Sequence, residues 1–442
     1  MMPCQPKRPT NLAGPLLGLF LATGLPLPAQ EKPAGGSPAP TFAEQLQAGK
    51  LACPLDLLAA IPKVWNLTPD QLDAAFPLPK GAQMKKNPYF QWMTRSRERA
   101  VFMKQPYSNL ALAMSLFGGE LPVEEVIVDF KDGKLNGVTF SLYNKGDSGA
   151  ITPDEFQRRL KFCGKKLGEM LAIRPAPRKS DPAQGLLAEG WTWLSPAGMA
   201  ALEHNPEATA GNVEFLRLKI APRDSKGAFA AAIQGRPVAV KLSDLPKNVT
   251  RLPNGDVVLQ GIPMVDQGPK GYCVVASAQR LFEYYGIPAD QHQIAQVVGT
   301  DAKAGTSSVA MAEALGKIDY RFKTRFKIIA MSSETGLVEV DPREMTVGKP
   351  VSQEQFSKAI HQYIDNGVPL LWGLMLGMHP EEPSIAQQQG GGHMRMVIGY
   401  NDKTGHLLFS DSWGAGHELK RMTLAHAYSA TQGLFAMSPT VR

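Results

Sequence analysis

The sequence predicts an α+β protein in which a small α+β domain precedes a second, larger one. Three observations predict this. The 442 residues exceed what one compact core organises. Composition is that of an ordinary globular chain, 43% hydrophobic and 20% charged. Helix-period and strand-period patterns occur in both halves. The net charge of +7 is spread along the chain. No block of Lys and Arg reads as a nucleic-acid surface.

The first 29 residues read as a secretory signal peptide. Lys7 and Arg8 precede an apolar run from Leu12 to Leu27, and the small residue Ala29 marks the expected cleavage point. The run falls short of the roughly 20 residues a spanning helix needs, and no later segment is apolar enough. Export to a periplasmic or secreted, bacterial setting is expected, without a stable membrane anchor. Cys4 leaves with the signal, so Cys53, Cys163 and Cys273 remain. An odd count in an exported chain suggests one bridge and one free thiol, with Cys53–Cys163 as the natural pair.

Residues 30–41, QEKPAGGSPAPT, read as a linker. Residues 42–235 then form the first domain. FAEQLQAGKLACPLDLLAAI carries a helical pattern. VEEVIVDFKDGKLNGVTFSLYN is a β-hairpin, two alternating runs around a turn. Asp154 to Ile173 is a helix opened by Thr152-Pro153, and NVEFLRLKIAP is a strand. No chemical constellation falls here, so this is read as an accessory domain.

Residues 236–442 hold the second domain. DVVLQGIPMV is a strand, helices are expected at about 274–285 and 353–366, and VPLLWGLML is a buried strand. HMRMVIGYNDKTGHLLFSDSWG closes as a hairpin with its turn at Asp402–Gly405. GMHPEEPSIAQQQGGG before it reads equally as a mobile lid or a surface loop.

The chemistry converges on this second domain. Gly268, Pro269 and Gly271 force a turn before Cys273, which opens an amphipathic helix ended by Gly286 and Pro288. A thiol at the positive end of a helix ionises more readily. Gln267 precedes the turn. Its amide and the Cys273 backbone N–H would offer two donors to an oxyanion. The thiolate needs a proton acceptor, and the acceptor an orienting partner. Of eight histidines, His393 stands apart because it follows a glycine run and opens a strand. Asp411 lies on the return strand. It reaches His393 only if the hairpin register puts both on one face, and an odd connecting loop is expected to do so.

These residues resemble the papain-like cysteine peptidases. The resemblance rests on Gln267-Gly268, on Gly271 and Cys273 at the family's spacing, on HMRMVIGY from His393, and on Asp411-Ser412-Trp413-Gly414. It covers about residues 240–442. The family's Asn is Asp411 here, which looks more like the bacterial peptidase group called C39. Tyr272 replaces a small residue, Val274 an aromatic one, and the family's disulfide near the nucleophile is missing. The resemblance implies a catalytic domain with a helical and an antiparallel β subdomain. It implies peptide hydrolysis by Cys273, His393, Asp411 and Gln267, with a peptide or protein substrate and neither cofactor nor metal. Trp413 would shield the His393–Asp411 bond. The same residue order also serves transglutaminase-like acyltransferases and amidases, and a silent fold used for binding is the reading from another class.

Overall fold

The computed structural model describes residues 44–440, apart from 46–47, 79–86, 104–109, 181–187, 226–227, 234–239, 268–272, 385–390 and most of 288–323. The signal-like segment, the linker, His292 and the Gly268–Tyr272 turn lie outside the described residues. The described helices include none long and apolar enough to cross a membrane.

The first half is built on an antiparallel sheet of eight described strands. Its order is Gln91–Trp92, Arg99–Phe102, Glu125–Lys131, Lys134–Asn144, Phe215–Ala221, Gly198–His204, Glu189–Ser195 and Ala176–Arg178. Asp132 and Gly133 join two of them, both at positive φ (51° and 72°), the conformation a two-residue hairpin turn requires. The helix Pro153–Leu171 starts where Thr152 accepts from the Glu155 N–H and Pro153 supplies a preset φ. Phe156, Cys163, Leu167 and Leu171 form its buried stripe, in one core with Phe140, Leu142, Leu202 and Leu218 of the sheet.

Two expectations are corrected here. Lys50–Pro54 is a strand, not a helix, and pairs parallel with Ala111–Leu116. Its residues alternate, with Leu51 and Cys53 inward, so a period of two wins over the helical pattern. A short helix follows at Asp56–Ala59. Cys53 and Cys163 are separate free thiols, not a disulfide. Both are buried in the first core, where a thiol packs as a small apolar group, and burial pushes each up to about 12.

The second half is built on a ten-stranded antiparallel sheet. At its centre lie Leu370–Met375, Gly392–Asn401 and Thr431–Pro439. One face carries the helix Cys273–Tyr284, whose Val275, Ala278, Leu281 and Phe282 pack with Met394, Met396, Leu408 and Phe435. Gln353–Asp365 and Leu424–Ala430 add Phe356, Ile360, Ile364 and Ala427 to a second cluster with Trp372, Val397 and Phe409.

The Cys273 helix is buried even where its sequence is polar. Gln279 is 2% and Arg280 0% exposed. The first sheet reaches the same helix at Glu283. Arg99 bonds Asp129 (2.6 Å) on its own sheet, Glu283 (3.0 Å) on the helix and the Met264 carbonyl (3.0 Å). Met264 itself packs with Met93, Val101 and Met103.

Candidate active site

Cys273 is the first residue of its helix and is half-buried. Burial pushes its thiol up. A hydrogen bond from His393, the imidazolium charge and backbone groups of Met394 and Val274 pull further the other way, so the thiol ionises below its ordinary 9.0.

His393 is buried near the start of its strand and sits between two partners. Its Nε2 lies 2.6 Å from Asp411 Oδ1, which leaves Nδ1 as the nitrogen facing Cys273. Burial alone would lower its pKa. The Asp411 charge and hydrogen bond, then Cys273, outweigh that and hold the imidazolium up to about 9. Trp413 stacks on the imidazole, with ring centroids 4.6 Å apart and planes at 24°.

Asp411 is completely buried. Burial disfavours its carboxylate, but His393, Arg395 and the Ser412 N–H hold it well below the usual carboxylate range. Oδ1 accepts from His393 and from the Ser412 N–H (2.8 Å), and Oδ2 accepts from Arg395 Nε (2.7 Å).

The register that brings Asp411 to His393 differs from the expected one in its cause. The connecting loop, Asp402–Gly405, has four residues and is even, not odd, because Asn401 pairs with His406. Left alone, it would put Asp411 on the wrong face. A β-bulge between Val397 and Gly399 inserts one residue and restores the offset, so that Met396 pairs with Ser410. Arg395 then lies across from Asp411, and His393 lies diagonally beside it.

Gln267 is placed by the same segment. Its backbone N–H donates to the Ser412 carbonyl (3.1 Å), and Ser412 Oγ donates to its Oε1 (2.8 Å). Oε1 is thereby the accepting end of this amide and the nitrogen its donor end.

Two buried arginines went unread in the sequence. Arg280, on the Cys273 helix, bonds the Pro263 carbonyl (2.8 Å), Ser410 Oγ (2.6 Å) and the Asp411 carbonyl (3.2 Å). It ties the nucleophile helix to the segments carrying Gln267 and Asp411. Arg395 joins Asp411 to Glu381, which also pairs with Lys420. The signal for Arg395 was present: it is the one charge in the otherwise apolar run MRMVIGY, two residues from His393.

Of the remaining described histidines, His417 stands beside the site, with its ring edge-on to Trp413 (5.5 Å) and its carbonyl accepting from the Asp411 N–H (2.9 Å), and the others stand elsewhere. His379 and His426 stack on each other at 4.3 Å, and His361 stacks on Tyr400. A cavity of about 1060 Å³ lies between the two halves, lined by Arg99, Asp129, Met264, Arg280 and Ser410. Its lining omits Cys273 and His393, so it backs onto the site rather than forming a groove over the sulfur.

Residues 259–434 match the model of the Peptidase_C39 like family. No curated protein sequence matches the chain. Among solved structures, one match is xylellain, a cysteine protease from Xylella fastidiosa, at 16% identity and a TM-score of 0.25, over 45% of this chain and 89% of that one. The matched segment carries Cys273, His393 and Asp411, and a cysteine-type peptidase is the activity that this likeness to the Peptidase_C39 like family supports.

Proposed function

We propose that the protein is an exported cysteine peptidase that hydrolyses peptide bonds through a Cys273–His393 pair oriented by Asp411. The observation that carries this reading is His393 held between two partners, with Nε2 on Asp411 and the other nitrogen toward the Cys273 sulfur.

In this reading the Cys273 thiolate attacks the scissile carbonyl carbon. Gln267 and the Cys273 backbone N–H hold the oxyanion. The C–N bond breaks as His393 Nδ1 gives its proton to the leaving amine, leaving a thioester. His393 then takes a proton from water, whose oxygen attacks the thioester and releases the carboxylate and the thiol. Asp411 keeps Nε2 protonated and favours the charged imidazolium. The basic, apolar N-terminus of the sequence supports export, as a signal removed near Ala29.

The test is alkylation of the folded full chain with iodoacetamide, without reductant, and mapping of the adduct by mass. The expected result is one fast adduct on Cys273, lost in His393→Ala, together with new peptide termini from a casein substrate. Ammonia release with amine incorporation and no new termini would replace hydrolysis by acyl transfer. A Cys273 rate equal to that of a free thiol would refute the reading.

A further inference from the structure

We propose that Arg395 is a positioning residue that makes an aspartate obligatory at position 411, by committing Oδ2 as an acceptor so that Oδ1 alone is left to orient His393. The proposal rests on the catalytic reading above.

The argument is one of donors and acceptors. Three donors converge on this carboxylate: His393 Nε2 and the Ser412 N–H on Oδ1, and Arg395 Nε on Oδ2. A carboxylate accepts all three. An asparagine offers one acceptor and one donor group. With its oxygen toward His393, its NH₂ would meet the Arg395 N–H head-on, donor against donor. Flipped, its NH₂ would meet both the Ser412 N–H and His393 Nε2. That Nε2 would then have to accept, which moves the imidazole proton to the nitrogen facing Cys273. The ring could no longer take the thiol proton. Both orientations of asparagine fail, one on Arg395 and one on catalysis.

Arg395 cannot step aside. It is fully buried, and its other two nitrogens grip Glu381, Nη1 on Oε2 and Nη2 on Oε1 (3.2 Å). Lys420, itself buried, holds Glu381 from another side. The guanidinium lies 4.8 Å from the Phe409 ring and 5.5 Å from Trp413, the same ring that stacks on His393. This places the guanidinium in a fixed fork between two carboxylates. It also gives Glu381, from the stretch read as lid or surface loop, a share in fixing the triad.

The test uses the alkylation rate of Cys273 by iodoacetamide in the full chain, between pH 5 and 9, with near-UV circular dichroism to confirm folding. Asp411→Asn should slow the reaction at the acid end about a hundredfold. Adding Arg395→Gln, whose amide oxygen can accept from the introduced asparagine NH₂, should restore at least about tenfold of that loss. Adding Arg395→Lys, which carries only donors, should restore none. A role limited to structural support would make every double variant worse than Asp411→Asn. If the Gln double variant does not fold, Arg395→Met with Asp411→Asn removes the donor and is judged by the same criterion. Fast wild-type alkylation with no rescue by Gln or Met overturns the role of Arg395 and leaves the triad standing. Wild-type alkylation no faster than a free thiol overturns both.

Discussion

Arg99 offers a direct measure of how far the first sheet supports the nucleophile helix. Arg99→Met keeps most of the side-chain stem and removes three bonds, to Asp129, Glu283 and the Met264 carbonyl. A hydrogen bond to a charged partner contributes about 1.5–3 kcal/mol. The Asp129 and Glu283 carboxylates are 32% and 23% exposed, so water recovers part of each loss. Glu283 also keeps its bond from Gln279 (2.6 Å). A net cost of about 2–3 kcal/mol follows, well short of three independent bonds. The assay is urea unfolding of the wild type, Arg99→Met, Glu283→Gln and the double variant. The expected coupling between the two positions is about 1–2 kcal/mol. Cys273 alkylation should slow several-fold in Arg99→Met, because Met264 lies three residues before Gln267. Additivity within about 0.5 kcal/mol, with an unchanged alkylation rate, would refute the idea that the first sheet holds the helix in place. The same result would favour residues 42–235 as a removable cover.

Three further outcomes are expected. Peptide hydrolysis should fall as pH rises through about 9, where His393 loses the proton it gives to the leaving amine, while alkylation of the thiolate persists; a hydrolysis profile flat to pH 10 contradicts this. The same shift makes His393 stabilising in full below about 6.5, with that stability lost as pH rises through about 9, whereas Asp411 stabilises above about 3.8 and loses its effect as pH falls. Urea midpoints across pH 3–10 should therefore be highest between those limits. Cys53 and Cys163 should resist iodoacetamide in the native protein and both react in urea without reductant, where a disulfide would leave neither reactive. Gly399→Ala would place a Cβ 2.2 Å from the Val257 carbonyl oxygen, a backbone atom, and should cost about 3 kcal/mol, read as a lowered urea midpoint.

The residues proposed to carry the chemistry were legible because each sits in a local pattern. Cys273 opens a helix after glycines, His393 opens a strand, and Asp411-Ser412-Trp413-Gly414 closes a hairpin. Long elements with a strong period were legible for the same reason, as with Pro153–Leu171 and Gln353–Asp365. Lys50–Pro54 was not, because its strand character comes from pairing with residues some sixty positions away. Arg280 and Glu283 were hidden differently. On a helix wheel they belong to the solvent side, and only tertiary packing gives them partners: Pro263, Ser410 and Asp411 for Arg280, and Arg99 of the first sheet for the partly exposed Glu283. The pairing of Cys53 with Cys163 failed because it followed from counting thiols, which carries no distance.

The hairpin shows why a correct outcome can rest on an incorrect step. An odd loop was expected because the side-chain period in a strand is two, so one residue decides which face Asp411 occupies. The structure has an even loop and a bulge, and the two single-residue offsets cancel. A bulge leaves little mark in sequence where every neighbour is apolar, as in MVIGY. Gly399 is the trace it does leave. It lies beside the bulge and opposite Val258, where no side chain fits against the Val257 carbonyl. The site therefore depends on a glycine six residues from His393 that touches none of the reacting groups. It sets the register that decides whether Asp411 meets His393 and Arg395 or turns away from both.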